Sequence, residues 1–147
     1  CQLVASCDLA YANKTAKFAT PGVNIGLFCS TPMVALSRNL SNKHSMEMLL
    51  TGDLISSEKA FKIGLINDIS ENDNLKNYVE SQALKISKKS SLTLKIGKSA
   101  FYKQINMNLS DAYDYASNVM VENMLKLDAI EGIDAFINKR KPRWHDK

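Results

Sequence analysis

Leu50-Thr51-Gly52-Asp53-Leu54-Ile55-Ser56-Ser57-Glu58-Lys59-Ala60, followed by Gly64-Leu65-Ile66-Asn67-Asp68-Ile69, organises the chain around it. A helical segment, Asn42 to Leu50, stops at Thr51-Gly52, and the Ser56 hydroxyl is placed to cap a new, short helix. That helix ends near Gly64, where a residue without a side chain suits the left-handed backbone of a helix terminus. Leu65 to Ile69 then reads as a strand or extended edge. Helix, turn, capped helix and strand within about thirty residues predict an α/β protein.

Working upstream, Thr31-Pro32 puts a capping hydroxyl before a proline, so a helix is expected over Met33 to Leu40. Asp8 to Ala12 and Ala16 to Ala19 are strand-like runs around the turn residues Asn13-Lys14-Thr15. Two short strands do not stand alone, and their partners are expected before Cys1. The first residues, Cys1-Gln2-Leu3-Val4-Ala5, read as the interior of an element, which suggests that an N-terminal part is missing.

Downstream everything is helical. Leu75, Tyr78, Val79, Gln82, Ala83 and Ile86 predict a buried stripe on a helix over Asn74 to Ser87. The linker Ser87 to Ser91 precedes a helix over Leu92 to Gln104. A longer helix from Ser110 gathers Ala112, Tyr115, Ala116, Val119, Met120, Met124 and Leu127 on one face. Asp128 and Glu131 stand at capping-box spacing before a last helix, Ala129 to Asn138, and Pro142 prevents its continuation. Two parts follow: residues 1–69, an α/β core portion, and residues 70–147, a helical region.

The composition fits a soluble globular protein: 147 residues, 45% hydrophobic, 23% charged, net charge +4. No apolar run approaches the roughly 18–20 residues of a membrane-spanning helix. Cys1, Cys7 and Cys29 form no metal-binding or disulfide pattern and point to a reducing compartment. Residues 139–147 hold five Lys or Arg and one Asp, so the net positive charge is concentrated there. Such a cluster suits phosphate, on nucleic acid or on a small cofactor, and is otherwise a solvated basic tail.

Taken residue by residue, the chemistry is sparse. His44 lies on a helix beside Lys43 and His145 in the basic tail, both expected at the surface. Asp8 is expected to bond backbone amides, and Asp53/Glu58 and Asp111/Asp114 fall at helix starts, where carboxylates favour the helix dipole. No metal-ligand spacing and no phosphate-cradling glycine loop are present.

Four phrases, in order, nonetheless resemble one family. They are Cys1-Gln2-Leu3-Val4-Ala5-Ser6-Cys7-Asp8-Leu9; Phe18-Ala19-Thr20-Pro21-Gly22; the Leu50 to Ile66 stretch quoted above; and Asp128, Glu131-Gly132, Ala135-Phe136 with Lys139-Arg140-Lys141-Pro142. Together they resemble the enoyl-CoA hydratase/isomerase, or crotonase, family over essentially the whole chain. Phe18 to Pro32, with Phe101-Tyr102-Lys103-Gln104, is similar to one mitochondrial subgroup.

The resemblance implies the spiral ββα crotonase fold, here with a mostly helical C-terminal half. It further implies acyl-CoA thioesters as ligands, a homotrimer or hexamer, the mitochondrial matrix and a place in fatty-acid metabolism. No cofactor is implied besides the coenzyme A thioester itself, and no metal. The family's chemistry rests on two backbone amides that stabilise a thioester enolate. Both would come from residues before Cys1.

Hydratases of the family use two glutamates, which fall at positions 2 and 22; this chain has Gln2 and Gly22. An amide does not exchange a proton near neutral pH and glycine has no side chain, so acid-base catalysis at both places is lost. In the loop Leu27 to Thr31, Cys29 and Ser30 are candidates to face the acyl chain. Lys139 falls where the family contacts the nucleotide part of CoA, with Arg140 and Lys141 adding field. The expected protein is therefore hydratase-like in fold, with either altered chemistry or a non-catalytic role in binding CoA esters or regulating a partner. Nucleic-acid binding is a weaker alternative, since Trp144 beside Arg143 is its sole aromatic-basic support.

Overall fold

Residues after Cys1 are helical at once: α1 spans Gln2–Ser6 and leads into β1, Tyr11–Asn13, and β2, Lys17–Phe18. This computed structural model describes residues 1–147 except for the side chain of Asn72. A short 3-10 helix, Pro21–Ile25, follows, and then α2 (Ser30–Asn39) and α3 (Asn42–Thr51). Ser41 caps α3 by accepting the His44 N–H, and Gly52 ends it with φ 66°. β3 (Ile55–Ser56) runs directly into α4 (Ser57–Lys62), where the Ser56 hydroxyl accepts the Lys59 N–H at 3.3 Å. β4 (Asp68–Ser70) completes the strands.

Each of the two short strands finds a partner downstream in the chain. β1 pairs in parallel with β4, with Tyr11 opposite Asp68 and Asn13 opposite Ser70; β2 pairs antiparallel with β3, Phe18 opposite Ile55. Asn67 extends the first pair, its side-chain oxygen accepting the Ala10 N–H while its own N–H donates to the Ala10 carbonyl, both at 2.7 Å. The Leu65 to Ile69 run thus supplies a partner that propensity alone did not assign. The helix expected from Met33 begins at Ser30, so Thr31-Pro32 lies within its first turn. Proline is tolerated there because the first N–H groups of a helix have no intrahelical acceptor.

Leu36 of α2, Met48 and Leu49 of α3, Ala60 of α4 and Ile63, Leu65 and Ile66 beyond it form one buried cluster with Ala5 and Ala12. Each fully buried large side chain contributes about 1.5–3 kcal/mol. Thr20 is buried among them, and its hydroxyl donates to the Met48 carbonyl at 2.9 Å, leaving no unmet polar atom at that position. Asn39 ties α2 to α1 by donating to the Ala5 carbonyl at 2.7 Å.

After β4 come α5 (Leu75–Ser87), α6 (Ser91–Gln104), α7 (Leu109–Met124) and α8 (Leu127–Ile137). By contacts the chain divides into two units, Cys1–Ser81 and Gln82–Lys147, with the division inside α5. Ser90 caps α6 through the Thr93 N–H, and Asn108 caps α7 through the Asp111 N–H. The apolar stripes are real but not covered: Met120 is 59% exposed, and Val79, Ile86, Met124 and Leu127 are exposed as well. Helical period identifies an apolar face; it does not supply the surface that buries it.

Candidate functional site

The loop after Thr20 turns on Gly22. Its carbonyl accepts the Leu27 N–H at 2.9 Å, its N–H donates to Cys29 Sγ at 3.2 Å, and Gly26 closes the turn with φ 78°. A Cβ at position 22 would stand 2.6 Å from the Leu27 carbonyl oxygen and 2.8 Å from Cys29 Sγ. Both are well inside van der Waals contact, and the nearer atom is backbone. In this loop glycine is therefore the residue that fits, and the Cys29 sulfur crowds the point where a side chain at 22 would begin. Cys29 is half-buried and packs against the core cluster, while Ser30 is exposed and donates to the Phe28 carbonyl at 3.3 Å. Gln2, at the start of α1, has an exposed side chain.

The structure thus brings Gly22 and Cys29 together within Cys1–Ser81. Lys139 belongs to the other unit. His44 stands 3.5 Å from Glu47, which also binds Lys59 at 3.2 Å; these two contacts hold the Glu47 carboxyl below its usual range, with Lys59 the larger cause. Among the described residues no group of three or more His, Cys, Asp or Glu is placed to hold a metal ion.

The C-terminal segment departs from a solvated basic tail. Glu131 takes both Nη1 and Nη2 of Arg140, at 2.6 and 2.8 Å, and also the Arg143 N–H at 2.7 Å; Asp134 also binds Arg140 Nη2. Asp128 is buried and accepts the N–H groups of His145 (2.6 Å) and Asp146 (3.1 Å). Asp146 in turn accepts the Ser91 N–H at 2.9 Å, and the Trp144 indole donates to the Lys88 carbonyl at 2.8 Å. The indole lies over Gly132, where a Cβ would touch the ring at 3.4 Å, an ordinary van der Waals contact.

The capping box expected from Asp128 and Glu131 is accordingly not formed. α8 starts at Leu127 with Lys126 as its cap residue, and both carboxylates turn to the chain's last residues instead. The spacing fits a local motif, but N–H groups from the returning tail are the acceptors' actual partners. Burial pushes the Asp128 carboxyl up, and the Ser90 hydroxyl with the two tail amides brings it below its ordinary value.

Glu131 falls from its ordinary 4.5 to about 2, chiefly through Arg140 and then the Arg143 amide. A carboxylate with a depressed folded pKa stabilises the folded state above its unfolded pKa and loses that contribution as pH falls through the folded one. Stability should therefore fall between about pH 4.5 and pH 2. Glu131→Gln should flatten that part of a denaturation-versus-pH curve, and an unchanged slope would show the pairing to be inconsequential.

Lys139 sits just past α8 in a left-handed conformation, φ 50°. Its N–H donates to the Phe136 carbonyl at 3.2 Å and the Arg140 N–H to the Ala135 carbonyl at 3.0 Å. That is the double-bonded helix ending usually built around glycine. A side chain there costs about 1–2 kcal/mol.

The profile of the enoyl-CoA hydratase/isomerase family matches residues 1–147, and the chain belongs to that family. It is 51% identical over 144 residues to the mitochondrial enoyl-CoA hydratase domain-containing protein 3 of Xenopus laevis, covering 98% of this chain and 49% of that protein. The human protein of the same name is 47% identical, with 98% of this chain and 48% of that protein covered. Among solved structures, human enoyl coenzyme A hydratase domain-containing protein 3 superposes with a TM-score of 0.94 at 47% identity, over 97% of this chain and 56% of that one. An enoyl-CoA hydratase of Mycobacterium smegmatis gives 0.95 at 45%, over 98% and 56%. The fold is thus of the crotonase type and this portion of it is mostly helical; the chain spans about half the length of these relatives.

Proposed function

We propose that this chain is part of an acyl-CoA-binding protein of fatty-acid metabolism, hydratase-like in fold, that does not add water by a two-glutamate mechanism. The observation that carries the reading is the loop at Gly22, whose closure on Leu27 and Cys29 leaves no room for an acid-base side chain. Gln2 keeps hydrogen-bonding capacity but does not titrate. The relatives' names support a mitochondrial location. The ligand is the coenzyme A thioester: Lys139 is the candidate ammonium for its nucleotide phosphate, and Cys29 and Ser30 are the candidates to face the acyl chain. Binding of an acyl-CoA by the full-length protein, followed by calorimetry, should weaken about tenfold in Lys139→Ala, the loss of one charge-assisted contact. Unchanged affinity would remove Lys139 from the site.

Assembly as a homotrimer or hexamer belongs to the same reading. Phe136, 85% exposed, and Ile130, Ile133 and Ile137 on α8, with Leu109, Tyr113 and Met124 on α7, support it, because such apolar area is seldom left to solvent. Phe136→Glu should shift the full-length protein towards monomer in sedimentation velocity; a monomeric parent would end this part of the proposal.

A further inference from the structure

We infer that Arg140 is a positioning residue for an anion site at Lys139 and not an anion contact itself. By charge alone Arg140 is the strongest member of the basic cluster, since a guanidinium suits phosphate better than an ammonium. Its fork is already occupied: Glu131 takes both outer nitrogens and Asp134 shares one of them, Nη2. Among the described residues Lys139 forms no ion pair.

The geometry of the turn says what the pairing achieves. Glu131 binds Arg140 by its side chain and Arg143 by its N–H, so one carboxylate spans the segment around Lys141-Pro142 and anchors it to α8. Residue 139 precedes this anchor directly and lies in the left-handed region with a side chain that disfavours it. Glycine would relieve that cost, whereas lysine keeps an ammonium at the helix end, and a backbone held against its preference reads as retained for the side chain. The carboxylate clamp supplies the holding.

This rests on the reading of Lys139 as the CoA contact, and a double-mutant cycle separates the two. In the full-length protein, Lys139→Gly should lower affinity for a chosen acyl-CoA about tenfold, and Arg140→Gln by several-fold, the loss of a well-placed charged bond. In the Lys139→Gly background, Arg140→Gln should cost no further affinity. Additive losses, or no loss from Arg140→Gln in the parent, would overturn the positioning role.

Stability gives a readout that does not depend on the ligand. Arg140→Gln should lower the melting temperature less in the Lys139→Gly background, where the turn no longer needs holding; an equal drop in both backgrounds would also overturn the inference. Unchanged CoA affinity in Lys139→Gly would instead refute the ligand assignment alone. Should Arg140→Gln fail to fold, Arg140→Lys keeps the charge without the fork. Affinity retained in that variant overturns positioning, and affinity lost supports it.

Discussion

Water addition to a 2-enoyl-CoA by the full-length protein is expected to run at least about 10⁴-fold slower than in a relative carrying both glutamates, since each acid-base group contributes about 10²–10⁴-fold. The assay is the loss of enoyl-thioester absorbance at saturating substrate, with a two-glutamate hydratase measured alongside. On the proposed reading acyl-CoA binding does not depend on these carboxylates, so affinity should persist where turnover does not. Rates comparable to the reference enzyme would mean that water is activated by groups other than those at 2 and 22.

The second expectation concerns restoring the missing carboxylate. Gly22→Glu should destabilise the protein by about 1–3 kcal/mol, because the new Cβ must displace a backbone carbonyl and a packed sulfur. Gln2→Glu, at an exposed position, should be close to neutral in stability. Urea denaturation of both single variants measures the difference. The double variant should therefore regain no hydratase activity unless the loop opens. A Gly22→Glu protein as stable as its parent would show that the loop accepts a side chain and that the closure is not what keeps glycine there.

How far the sequence could be read depended on the range of the interactions. Ser56 and Gly52 acted through atoms three or four residues away, and the α4 cap and the α3 terminus fall where local chemistry puts them. Asp128 and Glu131 satisfy the same kind of local rule and yet bind residues 140 to 146, because the returning tail brings a guanidinium and backbone N–H groups to them. Likewise β1 and β2 pair with β4 and β3, tens of residues further along, and only pairing in space identifies these partners. The Gly22–Cys29 contact has no signature in the sequence beyond the glycine itself, since the loop between them must close before sulfur and amide meet.

The family, the succession of helices and the concentration of positive charge in residues 139–147 were already written along the chain, because motif order, helical period and charge are properties of neighbours in sequence. What the charges do was not. Arg140 and Lys139 are adjacent and similar on paper, yet folding commits one to two carboxylates and leaves the other in a left-handed turn at the helix end. A cation's role is set by which carboxylates surround it, and that is a matter of distance across the fold rather than of position along it.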